Sequence, residues 1–240
     1  MLDEIYGKRV KLYQPKQGFR VCTDTILLAA SINPEPGEHV LDVGAGVGGA
    51  ALTVSVRCPD VIVHGIELLR ENVSLATENI KLNNMQGRVE ILCGSLSAPP
   101  PRLAPGIYQH VITNPPYYDS GHVSETEQKK TANHFQESTF EDWLRFCLMM
   151  AKSGGFLTLI YPADQIHKIL GPIAEKMGNI VIYPIWPQKN KAAKRVIISG
   201  QKSVKTPARI LPGLILHEPN GNYSQEAEDI LRHAKPINLY

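Results

Sequence analysis

The chain predicts an α/β fold: a parallel, helix-covered sheet. Apolar strands alternate with amphipathic helices from His39 to Ile160, the pattern of such a sheet. Within that stretch, a short apolar strand runs through a glycine-rich turn straight into an apolar helix. The length of 240 residues, 43% of them hydrophobic, suits one domain with a substantial core.

The elements follow in order. A segment to about Phe19 precedes a short helix that Thr23 or Asp24 can cap. Val40-Leu41-Asp42-Val43 is the first core strand, Gly44 to Gly49 the turn, and Ala50 to Val56 the helix. The strand Val61 to Ile66 ends in Glu67, and the helix from about Leu69 to Asn83 carries Val73, Ala76, Ile80 and Asn83 at helical spacing. A third strand spans Val89 to Cys93, and Ser97-Ala98-Pro99-Pro100-Pro101 is a surface connection. Val111-Ile112 leads into Thr113-Asn114-Pro115-Pro116-Tyr117-Tyr118. From Tyr118 to Phe135 the chain is polar, the composition of a mobile loop that orders over a target, with His134 in it read as structural or solvent-facing rather than as a base. A strand at Phe156–Tyr161, a helix at Ala163–Met177 and a terminal antiparallel hairpin, Ile180–Ile185 with Arg195–Ser199, complete the sheet.

Two motifs carry chemistry. Glycines after a strand let the backbone turn sharply and approach a ligand at a helix N-terminus. Gly44, Gly46 and Gly49 also fit the dinucleotide fingerprint, so the turn alone leaves the ligand open. Asp42, just before the first glycine, would repel a pyrophosphate but not the sulfonium and ammonium of S-adenosylmethionine. Glu67 lies where a carboxylate accepts from ribose hydroxyls, or else caps the next helix. In the second motif, the Asn114 amide oxygen and the Pro115 carbonyl can each accept one N–H of a planar amino group. Pro115 and Pro116 stiffen the turn, and Tyr117 offers an aromatic face for a flat substrate. An ordinary proline-rich strand exit is the plainer reading of that tetrapeptide.

With these residues the chain resembles the class I S-adenosylmethionine-dependent methyltransferases, and within them the Asn-Pro-Pro-Tyr subset that methylates amino nitrogens. It is most similar to the bacterial tRNA adenosine N6-methyltransferases that modify tRNA(Val) beside the anticodon. The similarity extends through Gln17-Gly18-Phe19-Arg20-Val21-Cys22-Thr23-Asp24-Thr25, through Lys194 to Gly200, and through His217-Glu218-Pro219-Asn220-Gly221-Asn222-Tyr223-Ser224. The resemblance implies a seven-stranded, mostly parallel Rossmann-like sheet in a single domain, with residues 1–36 covering the cofactor. It implies Asn114, Pro115, Pro116 and Tyr117 as catalytic residues, and Asp24, Asp42, Gly44, Ala45, Gly46, Gly48, Glu67, Leu68, Ser95 and Asn114 as the cofactor site. Many relatives have an acid near position 95, where this chain has Ser95, which can accept a hydrogen bond but carries no charge. The implied activity is N6-methylation of a tRNA adenosine, with N5-methylation of a protein glutamine as the nearest alternative. DNA adenine methylation, a nicotinamide dehydrogenase and a non-catalytic RNA-binding module are further readings.

Charge leans toward RNA. The net charge is only +2, yet Lys189, Lys191, Lys194, Arg195, Lys202, Lys205 and Arg209 follow one another without an acid. Such a stripe tracks a phosphate backbone or keeps a hairpin edge solvated. The first five are the expected RNA contacts, and Lys129 and Lys130 extend the surface. Cys22, Cys58, Cys93 and Cys147 lack Cys-x-x-Cys spacing and read as buried free thiols in a reducing cytoplasm; no metal is expected. No apolar run approaches a membrane span.

Overall fold

The computed structural model describes residues 2–15, 20–115 and 139–240. Among them, four parallel strands form one half of the main sheet: β3 (His39–Val43), β4 (Ile62–Glu67), β5 (Val89–Cys93) and β6 (Tyr108–Thr113). β4 and β5 build outward on one side of β3, while β6 pairs on its other side. The direction of winding therefore reverses between β3 and β6, opening a crevice at their carboxyl ends. β7 (Ala151–Pro162) adds parallel to β6, and β9 (Arg195–Lys202) inserts antiparallel between β7 and β8 (Met177–Trp186).

These seven strands match the expected sheet. The expected terminal hairpin, however, is not the edge. Two short strands, β10 (Arg209–Ile210) and β11 (Leu214–Ile215), pair parallel with the outer side of β8, making nine among the described residues.

Helices cover both faces. On one face lie α1 (Thr23–Ala30), α2 (Gly49–Arg57), α3 (Arg70–Leu82) and a C-terminal helix described last (Gln225–His233), around Leu28, Ala51, Leu52, Ile80 and Ile230. On the other lie α4 (Phe140–Met150) and α5 (Ile166–Lys176), around Trp143, Phe146, Cys147, Met150 and Ile173. The Gln225–His233 helix is α6. Alternating strand residues serve the two cores: Val40, Ile112 and Ile197 the first, Leu41, Val111 and Ile198 the second. Continuous apolar strands are what a sheet buried on both faces requires.

α1 starts one residue outside expectation. Its N-cap is Cys22, without a side-chain cap, and Asp24 sits in the first turn, its carboxylate drawn to Arg195. α4 opens with a reciprocal capping box between Thr139 and Asp142.

A small hairpin, β1 (Leu2–Ile5) with β2 (Val10–Tyr13), precedes α1. It is fastened to α3 by two asparagines one turn apart. Asn79 Oδ1 accepts from Tyr13 N–H at 2.6 Å while its Nδ2 donates to the carbonyls of Tyr13 and Val47, both at 3.0 Å. Asn83 treats Lys11 the same way, accepting from its N–H at 3.0 Å and donating to its carbonyl at 2.6 Å. The primary amides thus take the place of a neighbouring strand.

Of the thiols, only Cys147 is buried; Cys22 and Cys93 are exposed and Cys58 is half-buried. The expectation of four buried thiols is corrected accordingly: Cys22 and Cys93 lie where helix and strand termini meet solvent.

Candidate active site

The register of β3 against β6 builds the site. Val43 pairs with Thr113, so Gly44 and Asn114, the next residue on each strand, emerge side by side at the switch in winding. Thr113 ties the two strands further: its hydroxyl donates to the Val43 carbonyl at 2.8 Å and accepts from Trp143 Nε1 at 2.8 Å. Trp143 also explains Gly44, because a Cβ there would lie 3.0 Å from the indole. Asn114 is half-buried and Pro115 buried. Pro116 and Tyr117, with the loop expected from 118 to 135, His134, Lys129 and Lys130, lie outside the described residues.

The turn after β3 is held from below. The N–H groups of Gly44 and Ala45 both donate to the Ile66 carbonyl, and Gly46 N–H donates to Glu67 Oε2 at 2.9 Å. Gly44, Gly46 and Gly48 all have positive φ, the region where a side chain is strained. Above Gly46 a Cβ would meet nothing within 4 Å, so the backbone faces open space there. Gly49 is a packing glycine: a Cβ would come within 2.5 Å of Val21, which puts the segment before α1 against the turn.

Two carboxylates lie beneath this turn. Glu67, 8% exposed, also accepts from Leu69 N–H at 2.8 Å and from Asn72 Nδ2 at 3.4 Å. Three donors leave lone-pair capacity on a carboxylate. The alternative for Glu67, capping the following helix, is therefore present alongside its strand-end placement. Asp42 is 3% exposed, and its Oδ2 is buried without a hydrogen-bond partner. Burial pushes its carboxyl up to about 7, against the Ala51 N–H hydrogen bond that favours the charged form and with the Glu67 charge adding to the rise. An unpartnered buried acceptor and an open glycine backbone fit a ligand that brings donors and positive charge.

The remaining expected cofactor residues separate. Leu68 is 39% exposed beside Glu67. Ser95 lies two residues beyond Cys93, the partner of Glu67 on β5. Its hydroxyl is occupied locally, accepting from Ala98 N–H at 3.1 Å and contacting the Ser97 hydroxyl at 3.0 Å. Asp24 is joined to Arg195, Nε to Oδ2 at 2.6 Å, so one expected cofactor residue meets one expected RNA residue.

The basic stripe is not one track. Lys189, Lys191 and Lys194 are exposed in the β8–β9 turn, at the carboxyl edge with Gly44 and Asn114. Lys202 stands at the far end of β9, roughly 23 Å away at about 3.3 Å per residue. Its amine donates to the carbonyls of Leu148 and Ala151 at 2.6 and 2.7 Å, capping the end of α4. The strand carries its two ends to opposite edges of the sheet, which corrects the expectation of a continuous surface.

Sequence reasoning missed Trp143, which belongs to no motif. It also missed α4, although Thr139-x-x-Asp142 before an apolar run is a readable helix start. Among the described residues no three His, Cys, Asp or Glu side chains gather as a metal group. No described helix is long and apolar enough to cross a membrane.

Residues 20–139, half of the chain, match the methyltransferase small domain. The chain belongs to that methyltransferase family. Curated relatives of this methyltransferase are named tRNA1(Val) (adenine(37)-N6)-methyltransferase. The protein from Dyadobacter fermentans is 25% identical over 89% of each chain. That from Pedobacter heparinus is 28% identical over 81% of this chain and 84% of its own. Among solved structures, a predicted O-methyltransferase from Agrobacterium tumefaciens shares the fold with a TM-score of 0.74 at 23% identity, covering 89% of this chain and 97% of its own. A tRNA (m1A58) methyltransferase from Aquifex aeolicus does so with a TM-score of 0.56 at 18% identity, covering 80% and 73%.

Proposed function

We propose that this chain methylates the N6 amino group of an adenosine in the anticodon loop of a tRNA, using S-adenosylmethionine. The observation that carries the reading is the pairing of Val43 with Thr113, which sets the glycine turn beside Asn114. The names of the curated relatives support the substrate.

The cofactor cradle would consist of the open backbone at Gly46, the Glu67 carboxylate for ribose hydroxyls, and the buried Asp42 carboxyl, whose charged form a cationic ligand would favour. Leu68 offers apolar surface, and Val21, in the segment before α1, lies against the turn at Gly49. When bound, S-adenosylmethionine supplies an electrophilic methyl group on a positive sulfur. Asn114 Oδ1 and the Pro115 carbonyl accept the two N–H bonds of the target amine. Both favour a more pyramidal amine, whose lone pair is less delocalised into the ring, and offset charge as the nitrogen becomes cationic. Preorganised acceptors of this kind contribute about 3–4 kcal/mol, and in-line positioning about 7–11 kcal/mol. The nitrogen becomes acidic only after transfer, so no general base is needed beforehand. Tyr117 supplies the stacking face for a base that leaves its stack, which costs least in an unpaired loop.

The test is methylation of unmodified tRNA in vitro, with nucleosides read by mass spectrometry. N6-methyladenosine from the anticodon arm is the expected product. Transfer to a glutamine peptide with none to RNA would overturn the reading.

A further inference from the structure

The motif His217 to Ser224 resembles a family signature yet takes no part in the chemistry above. The structure lays it directly against the lysine-bearing turn. Leu216 N–H donates to the Trp186 carbonyl at 2.7 Å and His217 N–H to the Pro187 carbonyl at 3.0 Å, continuing the β11–β8 pairing past the strand ends. Gln188 Nε2 then donates to the Glu218 carbonyl at 3.3 Å. The loop closes on itself as His217 pairs with Tyr223, their rings stacked 4.9 Å apart at 18°. Ser224 locks its base, donating to the Ile215 carbonyl at 2.6 Å and capping α6 at Ala227 N–H.

The neighbouring turn is equally fixed: Lys191 N–H donates to the Gln188 carbonyl at 3.2 Å, and Asn190 takes a left-handed φ of 63°. Lys189, Lys191 and Lys194 project from it exposed, with no ion pair among the described residues. Arg195, by contrast, is committed to Asp24. Tyr223 packs on the core, and His217, stacked on it, is half-buried. His217 Nδ1 is buried and has no hydrogen-bond partner among the described residues.

We infer that these two loops form one rigid shelf for single-stranded RNA, in which Lys189, Lys191 and Lys194 hold phosphates and the His217–Tyr223 pair stacks an unpaired base flanking the target. The shelf lies at the edge that carries Asn114. Three strand spacings of about 4.8 Å separate β6 from β8, roughly 14 Å, a span of a few nucleotides. Cations beside an aromatic face are what sequence-tolerant single-strand binding uses. Glu218 is exposed within the loop, and of the acids in the first turn of α6, Glu228 is paired with Arg232 at 2.9 Å.

The inference rests on the proposed RNA reading, and the experiment separates the two. Binding and methylation of an anticodon stem–loop transcript are measured for wild type, for the triple variant Lys189→Ala/Lys191→Ala/Lys194→Ala, and for His217→Ala and His217→Phe. The triple variant is expected to raise KM with kcat unchanged, and to flatten the slope of log affinity against log salt by about 2, at about 0.7 per single-strand phosphate contact. His217→Ala should weaken binding about tenfold, and His217→Phe should restore it by keeping a stacking face. Cofactor affinity by calorimetry stays at wild type in all. If the wild type methylates the transcript and the variants keep its KM and salt slope, the shelf is overturned alone. If the wild type binds cofactor but methylates no RNA, the functional reading falls and the shelf with it.

Discussion

Desolvation raises the Asp42 carboxyl from 3.8 to about 7, so the folded chain holds that proton more tightly than the unfolded chain does. The sign follows: between these two values the native state binds more protons, and stability falls as pH rises through that window. Asp42→Asn imitates the protonated side chain and removes the dependence. Urea midpoints at pH 5 and pH 8 should show the variant gaining on wild type at the higher pH. A constant gap would mean that Asp42 ionises at its ordinary value. Asn114 stands at the same crevice with a different task. If its amide oxygen steadies the developing charge on the amine, Asn114→Ala lowers turnover about a hundredfold to a thousandfold while calorimetry finds cofactor affinity unchanged. Loss of both together would move Asn114 into the cofactor cradle instead.

At the scale of elements, β3 to β6 were legible because each carries a short apolar run, and the glycine turn and Asn114 punctuate the ends of β3 and β6. β5 was read to the residue and α3 to within one residue at each end. The β1–β2 hairpin was not legible, because its partner is not a strand but the amide faces of Asn79 and Asn83, whose spacing reads as ordinary helix polarity. Trp143 was invisible for a similar reason: it acts through Gly44 and Thr113, which are distant in sequence. The clamp is testable. Asn79 is fully buried, and Asn79→Ala removes its three hydrogen bonds and leaves the buried Val47 carbonyl without this donor. At about 1–3 kcal/mol for a buried unsatisfied group, the variant should be destabilised by at least that amount. Hydrogen exchange should rise first at Lys11 and Tyr13. Uniform loosening across the sheet would mean that the hairpin is not held separately.

Across the whole molecule, the sheet sorts charges that the sequence lists together. One end of β9 carries the crevice, the Asp24–Arg195 pair and the exposed lysines of the turn; the other carries Lys202 on the carbonyls that end α4. A cation at a helix C-terminus meets the negative end of the macrodipole, so Lys202 belongs to stability rather than to substrate. The two groups of lysines should therefore respond to different measurements. Lys202→Met keeps the aliphatic stem and removes the charged donor. It is expected to cost about 1–3 kcal/mol in denaturant unfolding, the range for charge-assisted hydrogen bonds at a helix end. The salt dependence of RNA binding should stay at wild type, in contrast to the flattened slope expected from the lysines of the turn. A Lys202→Met protein of native stability with a flattened salt slope would return Lys202 to the RNA surface, and would require the bound strand to cross from one edge of the sheet to the other.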